Sequence, residues 1–421
     1  MAPDRAPLDD PVGAFVHRIH PDDHPPGGGT PGGRDGRDTR EGPASDPLPL
    51  EGLRIVVDDL VAVEGLVSGA GNPDWRRTHA PEPETAPALA RLVEAGASLV
   101  GTTVVDELGL GTIGINVQEG TPRNPVAPDS VPGGSAGGAA AAVAAELADL
   151  ALVADTTGGA RVPASVCGLY GARITPGRVV LDGMVVRSAE LDAVGILARD
   201  ATTLWLSVRE LLGGAPGPTG GAPIERLVLA EDVWAVADTE VVDAMLPQLQ
   251  RIALRVAVEP LEQLAAGGAL RAWAHAQDVL VGRGAWAAHG AWFTQVNPTT
   301  ALDVKQRIDA ARDLDEAAAS AAAVVRDAAR AAVLEVLGAH GALVVPTTPA
   351  IAPLLTDTDA ELHDFRDRTA MLTCVAGLAG LPQVSVPFVQ LAEYPVGLSL
   401  VGPPGSDERL VALAGAIGRP T

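Results

Sequence analysis

The sequence predicts an α/β fold, a mixed central β-sheet flanked by helices, and two observations carry that expectation. From Leu48 to the C-terminus, short apolar strand-like runs alternate with longer Ala-rich helical runs. Between Pro132 and Gly177, two glycine-rich turns bracket a single Ala helix and the apolar strand that follows it.

Taken in order, Asp10–Ile19 (DPVGAFVHRI) reads as a short amphipathic segment. The run after it is dominated by Pro, Gly and charge and cannot bury a core. Residues 1–48 are therefore expected to be a flexible extension, and residues 49–421 one domain. Strands are expected at Leu53–Val57, Ser98–Val100, Leu150–Ala154 and Ala342–Val345, each a β-branched or Leu-rich run bounded by turn residues. Helices are expected at Ala86–Ala95 and Ala317–Leu337, the second closed by Gly338 and Gly341. No repeat of fixed period is visible.

Bulk properties narrow the function. A hydrophobic content of 47% over 421 residues is ample for one large core. A formal charge of −23 repels phosphate backbones and anionic lipid, so neither nucleic acid nor a membrane is an expected partner. The most apolar window, Ala136–Ala154, is mostly Ala and Gly and is broken by Glu146 and Asp149. It reads as a buried helix running into a strand rather than a membrane span. The N-terminus MAPDRAPLDD has neither a basic nor an apolar region of a signal peptide. Two cysteines cannot build a disulfide framework, and a reducing, cytoplasmic setting is expected. The eight histidines show no metal-ligand spacing, so no metal and no cofactor is implied. His17, His20 and His24 are expected to be solvated, and Cys167 and Cys374 to be structural. Trp273, Trp286 and Trp292 fall in the central region as core or pocket-wall candidates.

The chemistry, if any, lies in the two turns. Gly133-Gly134-Ser135-Ala136-Gly137-Gly138 opens the Ala helix, where exposed backbone and a helix N-terminus can meet a ligand carrying negative charge. Asp155-Thr156-Thr157-Gly158-Gly159 follows the strand. Both turns can come together at one end of that helix.

From these blocks, GTPRNPVAPDSVPGGSAGG and ADTTGGARVPASVCG, the chain resembles the amidase signature family. Further blocks agree in order, from LEGLRIVVDDL through LARLVEAGASLVGTTVVDELGLG to AGLAGLPQVSVPFVQ, so the likeness spans Leu48 to Gly418. Within the family, GNPDWRRTHAPE and HGAWFTQVNP are most similar to short plant indole-acetamide amidases and to the amidase-like domain of a chloroplast import receptor. The resemblance implies a nucleophilic Ser, a bridging Ser held by a cis peptide and a neutral Lys as base. A serine hydroxyl needs that base, and amides of the second turn would hold the oxyanion.

Carried over by position, Ser135 falls on the bridging serine. The nucleophile falls on Gly159 if Asp155, Arg161 and Pro163 keep register, or on Ala160 if the motif slides by one; neither has a hydroxyl. The lysine falls on Asp58, beside Asp59. Gly134, Thr156, Thr157, Gly158 and Gly159 are the implied oxyanion or substrate contacts. Arg161 and Asp155 read as scaffold for the turn. Three functions follow. The first is a degenerate homologue binding a small amide or carboxylate ligand, or a protein partner, without hydrolysis. The second is a repurposed enzyme using Asp58 and Ser135 for cyclisation, isomerisation or elimination, and the third an atypical amide hydrolase. The family also suggests a homodimer.

Overall fold

The computed structural model describes residues 9–19, 47–213 and 223–418. Among these residues eleven strands form one mixed sheet: β1 (Phe15–Arg18), β2 (Arg54–Asp58), β3 (Ser98–Thr103), β4 (Leu150–Asp155), β5 (Tyr170–Arg173), β6 (Ala193–Ala198), β7 (Arg226–Ala230), β8 (Ala257–Leu261), β9 (Gly341–Pro346), β10 (Gln383–Leu391) and β11 (Tyr394–Val401). Their order across the sheet is β1-β3-β2-β4-β6-β5-β10-β11-β9-β7-β8. The β3-β2-β4 trio and the β9-β7-β8 trio are parallel, and antiparallel strands join them. All four expected strands are present, each within a few residues of its expected bounds.

β4 is LALVAD and is buried along its whole length, as a central strand covered on both faces must be. The helix before it, Gly137–Ala144, consists of Gly, Ala and one Val and is buried through Val143. Small side chains on every face let it lie closely against β2, β3 and β4. The helices expected at Ala86–Ala95 and Ala317–Leu337 are Pro87–Glu94 and Glu316–Leu337. Pro87 occupies the first turn of the former, and Gly338 caps the latter with φ +54°. Beyond these, a 27-residue helix, Leu270–Val296, and the helix Asp359–Gly377 pack together over the second half of the sheet.

The N-terminal extension needs correction where it is described. Phe15–Arg18 pairs antiparallel with β3, with His17 opposite Thr102, and so belongs to the sheet rather than to a flexible tail. The Asp10 carboxylate accepts from the Ala14 and Phe15 amides, both at 3.0 Å, and fixes the turn that delivers the strand. An uncovered β3 edge would leave a row of unpaired backbone groups, and this short segment satisfies them. His17 is correspondingly half-buried, its Nε2 3.0 Å from Arg76 Nη1. Burial first, and then the Arg76 charge, lowers its pKa. His20 and His24 lie outside the described residues.

Candidate functional site at the paired glycine turns

Parallel strands carry their ligands beyond their C-terminal ends. Here β2 ends at Asp58, β3 at Thr103 and β4 at Asp155, side by side. The first glycine turn crosses above them. Its Gly134–Ser135 peptide is cis, at the position where the resemblance places the bridging serine. The Ser135 carbonyl accepts from the Asp106 amide at 3.0 Å. Gly134 lies so close to the Asp106 carboxylate that a Cβ there would overlap Oδ2. Ser135 Oγ is buried and has no hydrogen-bond partner among the described residues.

The second turn is pinned by Asp155. Both its oxygens take the Arg161 guanidinium, at 2.7 Å and 3.0 Å, and it also accepts from the amides of Gly158, Ala160 and Arg161. Arg161 Nη1 continues to the Thr373 carbonyl and to Gln383 Oε1. Complete burial alone would raise the Asp155 pKa, but the Arg161 charge and these donors hold it well below the usual carboxylate range.

The two registers left open by the sequence differ in geometry. A Cβ on Gly159 would lie 3.0 Å from Ser135 Oγ, whereas Ala160 points its methyl at β6, 2.7 Å from where Gly195 would carry a Cβ. Gly159 is therefore the residue of the turn that faces Ser135. The same Cβ would overlap the Ala154 carbonyl oxygen, so this backbone position as folded admits only glycine.

Of the amides expected to hold an oxyanion, that of Gly158 is already committed to Asp155 Oδ1. Those of Thr157 and Gly159 donate to no acceptor among the described residues. The Thr156 hydroxyl is spent on Asp192 Oδ1 at 2.6 Å, and Thr157 is half-buried.

Asp58 completes the group. It is fully buried, its Oδ2 accepts from the Ala154 amide at 3.0 Å, and its Oδ1 has no hydrogen-bond partner among the described residues. Ala154 thus joins the two halves of the site: its amide contacts Asp58 and its carbonyl lies under Gly159. Burial raises the Asp58 pKa from 3.8 to about 6, against the pull of the Ala154 amide, the Arg187 charge and the Leu60 amide. Burial also raises two neighbours to about 7: Asp59, which is paired with Arg76 at 2.9 Å, and Asp106.

The native protein therefore binds a proton at Asp58 that the unfolded chain has released, in the window between about pH 4 and pH 6. This group's contribution to stability is full below that window and falls as pH rises through it. Asp58→Asn is expected to be about 1–3 kcal/mol more stable than wild type at pH 8. At pH 4 the two should melt together; thermal unfolding at both pH values checks this, and a variant less stable at pH 8 would contradict it.

Sequence reasoning missed several groups around this site. Gln277, in the helix Leu270–Val296, is fully buried and neither atom of its amide has a hydrogen-bond partner among the described residues. It abuts Gly377, which itself lies close to the Thr156 carbonyl. Thr373 Oγ1 and two nitrogens of buried Arg187 are also unpartnered. The missed count is simpler: Lys305 is the only lysine of the chain, and it is exposed and bound to Asp309 at 2.9 Å.

The other candidates lie away from the paired turns or within the core. Cys167 is buried with its thiol on the Pro132 carbonyl, and burial pushes its pKa well up. Cys374 is likewise buried in the second half of the core. Trp273 is a core residue and Trp292 stacks edge-on against Trp75. Trp286 lines a separate cleft of about 350 Å³ with Phe293, Ile308, Lys305 and Arg312, none of which belongs to the glycine turns. Among the described residues no helix is long and apolar enough to cross a membrane, and no three His, Cys, Asp or Glu side chains form a metal-sized group.

A mixed sheet whose parallel strands end under two facing glycine turns defines the amidase-signature class of fold. Residues 36–232 and 241–411 match the family described as Amidase, and the chain belongs to that family. It is 33% identical over 409 residues to Amidase 1 of Arabidopsis thaliana, covering 89% of this chain and 94% of that protein. It is also 33% identical over 393 residues to the chloroplastic Outer envelope protein 64 of Arabidopsis thaliana, covering 88% of this chain and 66% of that longer protein. A crystal structure of an amidase superposes with TM-score 0.79 at 31% identity, over 88% of this chain and 84% of that one. The likeness to short plant amidases and to a chloroplast envelope protein is borne out.

Proposed function

We propose that this chain is a degenerate amidase that binds a small amide or carboxylate at the signature site and does not carry out the family's serine hydrolysis. The observation that carries the reading is the residue pair at the reacting positions. Glycine faces Ser135 where the resemblance requires a nucleophilic serine, and the chain's single lysine is on the surface, far in character from a buried neutral base. When such a triad acts as a unit, loss of the nucleophile alone costs about 10⁶ in kcat. What remains is a set of buried, unpartnered polar atoms able to hold a ligand: Ser135 Oγ, Asp58 Oδ1 and the Gln277 amide. Given a panel of primary amides, the protein is expected to bind members saturably and to release no ammonia above the buffer rate.

A second reading is favoured by Asp58 itself. A buried carboxylate with one unmade hydrogen bond and a pKa near 6 is suited to give or take a proton near neutral pH. In this reading the protein is a repurposed enzyme in which Asp58 and Ser135 serve a cyclisation, isomerisation or elimination. Its mark is a product from a bound ligand that Asp58→Asn abolishes without weakening binding; an Asp58→Asn protein with full turnover would sink it.

A further inference from the structure

Among the buried arginines, Arg187 stands apart in how little it is given to bind. Arg161 spends its guanidinium on Asp155, the Thr373 carbonyl and Gln383, and Arg173 donates to the carbonyls of Asp155 and Leu191. Arg187 is 2% exposed; its backbone amide donates to Asp192 Oδ2 at 2.8 Å, but its guanidinium makes one hydrogen bond among the described residues, from Nη1 to the Gly109 carbonyl at 2.6 Å. Its Nε and Nη2 have no hydrogen-bond partner among the described residues. The carboxylate oxygen nearest to pairing with it, Asp192 Oδ1, stands 3.9 Å from Nε and already accepts from Thr156. A guanidinium cannot shed its proton to escape burial, and a buried charge without a matched partner is costly.

That unfilled fork belongs to the signature site. Arg187 shares Asp192 with Thr156 of the second turn, and its charge acts on Asp58, with which it forms no ion pair within 4.0 Å. Asp58 Oδ1, Ser135 Oγ and both atoms of the Gln277 amide also have no hydrogen-bond partner among the described residues, and Gln277 abuts Gly377 beside the Thr156 carbonyl. The combination offers a planar cation for a carboxylate and, apart from it, mixed donors and acceptors for a carboxamide. It also places a local positive charge in a protein of net charge −23, where an anion otherwise has little to attract it.

We infer that the ligand of this site is a small amido-carboxylic acid, its carboxylate held by Arg187 and its amide end among Asp58, Ser135 and Gln277. The inference rests on the small-ligand reading above and narrows it to one chemical class.

Titration calorimetry of the full chain with malonamate, succinamate and glutaramate, each beside its neutral diamide, tests it. At least one acid is expected to bind about 30-fold more tightly than its diamide, the loss that goes with stranding a buried charge. Arg187→Met should erase that preference while diamide binding persists, and Arg187→Lys should keep part of it. Equal affinity of acids and diamides for wild type, a comparison that needs no variant, would overturn the assignment. So would an acid preference that survives in Arg187→Met. If neither acids nor diamides bind at all, it is the small-ligand reading beneath it that fails.

Discussion

Arg161→Met is expected to destabilise the protein by about 3–5 kcal/mol, the loss that follows when one partner of a buried ion pair is removed. Asp155 would keep its burial and lose the guanidinium that occupies both its oxygens. The second glycine turn would lose its anchor, because the same Arg161 side chain ties that turn to the helix Asp359–Gly377 and to β10 through the Thr373 carbonyl and Gln383. The pH dependence has a definite sign. The native Asp155 pKa lies below the unfolded value, so the contribution is complete above the ordinary carboxylate range and is lost only as the pH falls through strongly acid values. Thermal unfolding at neutral pH provides the check. Paired with Asp155→Asn, the double variant should lose clearly less than the sum of the singles; a loss under about 1 kcal/mol for Arg161→Met would show that the pair does not organise the turn.

Gly159→Ser restores the side chain that the resemblance places at the nucleophile, and it is expected to restore nothing else. The new Cβ would overlap the Ala154 carbonyl oxygen, so the turn must shift. A loss of about 1–3 kcal/mol is expected from such overpacking. The hydroxyl would come close to Ser135 Oγ, but the base beyond it is Asp58 rather than a lysine, and Lys305 cannot substitute from the surface. No ammonia release is therefore expected from Gly159→Ser. A variant that kept full stability would show that the turn accommodates a side chain readily, and one that hydrolysed amides would show that Asp58 can drive the relay.

Much of the fold was legible because its signals are local. β4 and its Ala helix carry an apolar run of unmistakable length, and Gly338 marks the end of the helix Glu316–Leu337. β1 was not legible. Its four residues, FVHR, have no strand-length alternation, and they are ordered by the open edge of β3 rather than by their own propensity. By composition alone the N-terminal residues group with the Pro/Gly-rich run beside them.

The candidate site divides in the same way. Ser135, Asp155 and the second turn lie in one dense motif and could be placed from the sequence. The choice between Gly159 and Ala160 could not, because it depends on which backbone position faces Ser135 and which faces Gly195 of β6. Arg187 and Gln277 sit in no motif. Arg187 is placed by the Gly109 carbonyl 78 residues before it, and Gln277 by the packing of a long helix against Gly377. Only the tertiary fold brings them to the glycine turns.

The central claim is that the site holds a ligand without the family's hydrolysis, and ammonia release from a bound primary amide tests it most directly. With wild type and Asp58→Asn side by side at saturating amide, the account predicts binding by both proteins and ammonia from neither above the buffer rate. Sustained, enzyme-dependent ammonia release by wild type would contradict it.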